Sequence, residues 1–158
     1  MSISTDYTGR TVDALIFQGA APQGEQRITL AMGDTGLITT GIQKMAQTWM
    51  MLFLTERGSM LHKPRRGSSF LTAMRRGRIR TSGDVTAEFG LASELVKRTM
   101  RVDAARAGNI PLDEQIGDAQ LISHELDHGT STLRLRIRLT SAAGVGQTLV
   151  LPVPLAIK

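Results

Sequence analysis

One amphipathic stretch, residues 40–58, constrains the fold more than any other part of the chain. Its apolar residues recur every three or four positions and so share one face of a helix, with the chain's only tryptophan in the middle. They are Ile42, Met45, Ala46, Trp49, Leu52 and Phe53. Thr40 and Gln43 match a capping box, and Gly58 can adopt the left-handed conformation that ends helices. The pattern predicts a helix over residues 41–56 that is the main contributor to the core.

Length and composition favour a single compact domain. The chain has 158 residues, of which 41% are apolar, and a chain of this size can bury a core without disulfides or structural metals. It contains no cysteine, which excludes disulfides and thiolate sites. The longest apolar run, residues 49–54, is far shorter than the roughly 20 residues that span a bilayer, so no membrane partner is expected.

Positive charge is concentrated directly after the predicted helix. The net charge is +5, and eight Lys or Arg residues but no Asp or Glu lie between residues 57 and 80. This segment suits either a solvated loop or a docking surface for an acidic partner. Nucleic acid is the less favoured third alternative, because Phe70 is the only aromatic residue there that could stack on bases.

The rest of the chain reads as short strands, a second helix and a terminal hairpin. Residues 1–36 are predicted to form an N-terminal arm with strands at 14–17 and 27–32. Residues 85–107 carry a second apolar stripe, which ends at Gly108. Residues 118–126 are predicted to form a further strand.

The C-terminal third changes to a period of two. Leu133, Leu135, Ile137 and Leu139 alternate with three arginines, which predicts a half-buried strand with one cationic face. Residues 148–151 are predicted to form the return strand of a hairpin over 131–151, and Pro152 and Pro154 confine its end to a sheet edge or a tail. The expected fold class is α+β, with two main helices packed on a small, mostly antiparallel sheet that ends in a C-terminal β-hairpin; residues 37–158 form this domain.

A possible zinc motif is present, since His124-Glu-Leu-Asp-His128 matches H-E-x-x-H. On a helix, this spacing aims two imidazoles at one Zn²⁺ beside a general base. On a strand, positions i and i+4 lie about 13 Å apart and cannot share an ion. No His, Asp, Glu or Cys follows residue 128 to supply a third ligand, so the motif is interpreted as the polar tip of a hairpin.

The amphipathic stretch over residues 40–58 and the basic segment after it resemble a known family. Gly41-Ile-Gln-Lys, Leu52-Phe-Leu-Thr-Glu-Arg-Gly58 and Lys63-Pro-Arg-Arg-Gly-Ser-Ser-Phe70 are similar to motifs of the baseplate wedge proteins that act as sheath initiators in contractile-tailed phages, which are related to type VI secretion baseplate proteins. The similarity extends over residues 37–151 and includes the order of elements. The family's Glu-Pro-Arg motif is matched here only by Glu114.

The resemblance implies a structural protein of the virion tail baseplate, assembled in the host cytoplasm. Its C-terminal strands would accept exchanged strands of the tail sheath protein, while the first helix and the basic segment would dock onto other wedge subunits around the tail tube. The expected partner-binding residues are Trp49, Phe53, Lys63, Arg65, Arg66, Phe70, Glu114, Arg134, Arg136 and Arg138. No catalytic residue, cofactor or metal is predicted. The alternatives are a small zinc hydrolase using the H-E-x-x-H residues and a nucleic-acid-binding module using the basic segment.

Overall fold

The structure, a computed structural model, describes residues 13–14, 17–18, 26–27, 29–30, 38–127 and 129–155. Most of the predicted arm over residues 1–36 therefore lies outside the described residues. The described part contains helices α1 (Gly41–Leu54), α2 (Phe70–Arg75) and α3 (Ser82–Ala107) and the long strands β6 (Ile116–Asp127), β7 (Thr132–Ser141) and β8 (Gly146–Pro154). Five two-residue strands precede them: β1 (Asp13–Ala14), β2 (Phe17–Gln18), β3 (Gln26–Arg27), β4 (Thr29–Leu30) and β5 (Ile38–Thr39).

The predicted α+β fold class is confirmed. Strands β6, β7 and β8 form an antiparallel sheet, and β3 adds to β8 in parallel, so that the strand order is β3-β8-β7-β6. Helix α1 packs on β7 and β8, and helix α3 packs on β6. The short strands pair β1 with β5 and β2 with β4. The pairing of β3 with β8 joins part of the N-terminal segment to the main sheet.

The core lies between the helices and one face of the sheet. The alternation predicted for β7 is confirmed, because its odd-numbered residues are buried and its arginines are exposed. Helix α1 contributes its predicted stripe, and α3 contributes a second stripe at helical spacing. The largest fully buried side chains are Trp49, Phe53, Phe70, Met45, Met50, Leu135, Ile137, Leu139, Leu151, Val96, Val153 and Thr39.

The first helix begins at residue 41 as predicted, but its predicted cap and its predicted end need correction. Thr40 has the extended backbone of an N-cap, but its side chain makes no capping hydrogen bond, so the capping box with Gln43 is wrong. The helix ends at Leu54 rather than at residue 56, because Thr55 is already extended. Gly58 has a φ of +93° but lies in the following loop, so it does not cap the helix.

Helix α3 begins three residues before the predicted start. Thr81 and Asp84 form a reciprocal capping box, in which the Thr81 hydroxyl accepts from Asp84 N at 3.2 Å and the Asp84 carboxylate accepts from Thr81 N at 2.8 Å. Hydrogen bonds from the backbone amides of Arg80 and Thr81 to the Asp84 carboxylate hold the pKa of Asp84 below its usual value. The helix ends as predicted, with Gly108 in the left-handed conformation. Helix α2 was not predicted.

Candidate docking surfaces

Three residues expected to bind a partner lie instead in the core. Trp49, Phe53 and Phe70 are fully buried. The Trp49 and Phe53 rings stack at 4.8 Å between centroids, and the Phe53 and Phe70 centroids are 5.0 Å apart. Phe89 of α3 completes the cluster at 5.5 Å from Phe53. The prediction is corrected for all three residues, because these side chains cannot contact a partner while the chain keeps this fold.

The basic loop, residues 57–69, is closed at its neck by Ser68. Its hydroxyl donates to Phe53 O at 2.5 Å, and its amide donates to Thr55 O at 2.8 Å. Arg57 N donates back to Ser68 O at 3.0 Å. Gly67 has a φ of +99°, and a Cβ there would lie only 2.4 Å from Thr55 O. The Gly-Ser pair of the family-like motif is therefore a structural clasp that brings the two ends of the loop together.

The predicted docking residues of the basic loop differ in their surroundings. Lys63 and Arg65 are exposed. Arg66 is half-buried and pairs with Asp103 of α3 at 2.8 Å, so it fastens the loop to the helix. Lys63 and Arg65 remain available for an external partner.

Glu114 acts inside the chain. Its carboxylate is buried and accepts from Lys44 Nζ at 2.9 Å and from Gly41 N at 3.3 Å. It therefore performs at the start of α1 the capping that was expected of Thr40. Its expected role in binding a partner is corrected, because the carboxylate is enclosed and already has two donors.

The arginine row, Arg134, Arg136 and Arg138, lies on the outer face of the sheet, as the alternation predicts. Arg134 pairs with Asp127 at 3.0 Å, and Arg136 also has a partner within the chain. The Arg138 guanidinium lies across Gly146, where an added Cβ would be 3.4 Å away. The row forms a cationic outer face held in place by neighbouring strands.

The H-E-x-x-H segment does not form the helix that a zinc site of this kind requires. His124 and Glu125 lie in β6, which confirms the predicted strand, and His128 lies outside the described residues. Successive side chains on a strand point to opposite faces, and His124 Nε2 is 2.8 Å from Ser82 Oγ at the start of α3. Among the described residues, no group of three or more His, Cys, Asp or Glu could hold a metal ion.

Charged contacts hold α3 beside β6. Lys97 is buried and bonds to Glu94 and to Asp118, the latter at 2.9 Å. Burial alone would lower the pKa of Lys97, but the two carboxylates together outweigh it and raise the pKa. The Lys97 hydrogen bond lowers the pKa of Asp118. Arg101 adds a bond to Gly117 O at 2.7 Å, so the polar side of α3 is fixed along β6.

The two edges of the sheet offer different backbone groups. Ser141 N donates to Val145 O, and Leu155 N donates to Ser131 O. Backbone N–H and C=O groups alternate in direction along an antiparallel ladder. Those of the odd-numbered residues of β8 therefore point toward β7, and those of the even-numbered residues point away from it. Two of the outward residues, Pro152 and Pro154, carry no N–H. The predicted edge position of these prolines is confirmed. They block strand addition to the part of β8 that β3 does not cover.

Strand β6 has an open edge. By the same alternation, Ser123, Glu125 and Asp127 bond to β7, so the N–H and C=O groups of His124 and Leu126 face outward. In the part of the chain described, β6 pairs with no strand other than β7. Register shifts interrupt the strand near residues 117 and 122, which leaves 123–127 as a regular segment without proline. The β6 edge, residues 123–127, can accept another strand.

Sequence reasoning missed the apolar tip of the basic loop. Leu61 is 88% exposed and Met60 is 42% exposed, and both lie among turn and basic residues. They fit neither a helical nor a strand periodicity. That mismatch is the signal that could have identified them, since an apolar residue outside any periodic pattern has no core face to occupy.

Comparisons with known proteins give no relative of this chain: no family model, no curated protein and no solved structure matches it. Among the described helices, none combines the length and apolar character needed to cross a bilayer.

Proposed function

We propose that this chain is a structural subunit of a contractile-tail baseplate that starts sheath polymerisation by accepting a strand of the sheath protein on the β6 edge. The observation that carries the proposal is the contrast between the two sheet edges. Prolines 152 and 154 close the β8 edge, whereas no strand in the described part of the chain pairs with the outward-facing backbone donors and acceptors of the β6 edge. Proteins normally protect such edges, so an open one marks a place for an incoming strand.

The expected location of strand addition changes accordingly. The sequence favoured the hairpin over residues 131–151, but β7 is paired on both sides and cannot accept another strand. The arginine row lies on the outer face that an added strand would extend, next to Glu125 on β6. On that face an incoming strand would lie directly beside Ser123, Glu125 and Asp127 of β6, with the arginine row one strand further away. Basic residues on the incoming strand would meet these two carboxylates, which favours one register over others.

The proposal is tested with a proline at the outward-facing backbone position 126. Leu126→Pro removes an N–H that points away from β7 and places a ring in the path of an added strand, while it leaves the ladder to β7 intact. We expect sheath attachment to assembled baseplates, counted by electron microscopy, to fall at least about tenfold.

The matched control is Leu126→Ala, which removes the side chain but keeps the N–H. Since Leu126 is 42% exposed, this variant is expected to fold and to attach sheath like the wild type. Circular dichroism checks that both variants are folded. Normal sheath attachment by a folded Leu126→Pro variant would contradict strand addition at this edge.

A further inference from the structure

The tip of the basic loop is held in shape from inside. Ser59 N donates to Glu56 O at 3.1 Å, Lys63 N to Met60 O at 3.2 Å and Arg66 N to Lys63 O at 2.9 Å. These three successive turns, together with the clasp at the neck, fix the backbone of the loop. The loop therefore presents its tip in a defined shape before any partner arrives.

The tip combines exposed apolar surface with exposed positive charge. Leu61 is the most exposed of the large apolar side chains in the described part of the chain, and Met60 lies beside it. Lys63 and Arg65 follow directly and are exposed, and no Asp or Glu occurs between residues 57 and 83. An ordered loop that exposes a leucine to water beside two exposed cations has the composition of an interface anchor with a charged rim.

We propose that this tip is a preformed plug, which inserts Leu61 with Met60 into an apolar pocket of an acidic partner protein. Lys63 and Arg65 then pair with carboxylates at the rim of that pocket. The inference rests on the proposed function for its setting, and it names the chemistry of the partner that docks there. A fixed loop loses little conformational freedom on binding. The tip can therefore enter the partner's pocket with little entropic cost for ordering the loop.

A protein pocket fits the tip better than the other occupants. Proteins are anchored to a bilayer surface by long amphipathic helices or by several inserted groups. Two apolar side chains bury too little surface to anchor the chain there. A second copy of this chain carries the same positive charge and would repel the tip. Single-stranded nucleic acid needs exposed aromatic side chains, but Phe70, the only aromatic residue between residues 57 and 80, is buried.

Site-specific crosslinking tests the plug. A benzoylphenylalanine replaces Leu61 in the full chain, which is produced in cells together with its natural partners, and mass spectrometry maps the crosslinked peptide. We expect the crosslink on one other protein, at apolar residues flanked by Asp or Glu. The charge reversals Lys63→Glu and Arg65→Glu together are expected to lower the crosslink yield about tenfold.

The matched control places the same crosslinker at Leu91, which is 64% exposed on α3 and is expected to give no such product. A crosslink to lipid, to nucleic acid, to a second copy or to a pocket without carboxylates would overturn the plug. So would a yield that charge reversal leaves unchanged, or the absence of a product specific to position 61. Because these variants leave β6 untouched, a failure of the plug and a failure of strand addition are distinguishable.

Discussion

Gly67→Ala is expected to lower the free energy of unfolding by about 3 kcal/mol or more. The residue has a φ of +99°, which strains any side chain, and an added Cβ would lie 2.4 Å from the backbone oxygen of Thr55. That oxygen accepts the amide of Ser68, so the clash cannot be relieved without opening the neck of the basic loop. Urea unfolding followed by the fluorescence of Trp49 measures the loss.

Two other glycines separate the strain from the clash. Gly58→Ala also requires a positive φ, +93°, but meets nothing within 4 Å, so it should cost only about 1 kcal/mol. Gly90→Ala lies within α3 in open space and should stabilise the protein by about 0.5–1 kcal/mol. If Gly67→Ala cost no more than Gly58→Ala, the close approach to Thr55 would not be what holds the neck.

Glu114→Ala is expected to lower the free energy of unfolding by about 2–3 kcal/mol. The substitution removes the buried carboxylate that accepts hydrogen bonds from the ammonium of Lys44 and the amide of Gly41. The expected loss is below that of a fully buried pair, because the Lys44 side chain is still 18% exposed. Chemical denaturation at neutral pH measures it.

The control for this prediction is Glu125→Ala, since Glu125 is an exposed carboxylate and its removal should change stability by less than about 0.5 kcal/mol. Lys44→Ala combined with Glu114→Ala should cost less than the sum of the two single changes, because the residues share one contact. If Glu114→Ala left the free energy of unfolding unchanged, this carboxylate would not cap α1, and Glu114 would again be a candidate for binding a partner.

Local patterns were enough to predict the main elements. The alternation in β7 and the stripe in α1 arise because a strand repeats every two residues and a helix every 3.6, and both patterns extend over several periods here. The end of α3 was also predictable, since Gly108 has the conformational freedom that the left-handed cap needs. Helix α2 spans only six residues and is too short to establish a period.

The candidate surfaces depended on contacts between distant parts of the chain. Glu114 caps a helix that begins 73 residues earlier, and no local sequence pattern predicts that Glu114 and Gly41 lie in contact. Phe70 ends the basic motif that predicted a docking surface, but the hydrogen bonds of Ser68 direct its side chain into the core. The sequence likewise predicted a hairpin and the edge position of its prolines, but not that β6 would form the open edge, because the pairing of the hairpin with β6 and β3 decides that.

Amide hydrogen exchange along β6 measures whether a sheath strand adds to the β6 edge. In the free chain, the outward-facing amides of His124 and Leu126 should exchange quickly, whereas those of Ser123 and Glu125, which bond to β7, should exchange slowly. When the sheath protein binds, we expect the amides of His124 and Leu126 to become protected, while the exchange rates of Ser123 and Glu125 stay as they were. Fast exchange at His124 and Leu126 in the sheath-bound protein would contradict strand addition to the β6 edge.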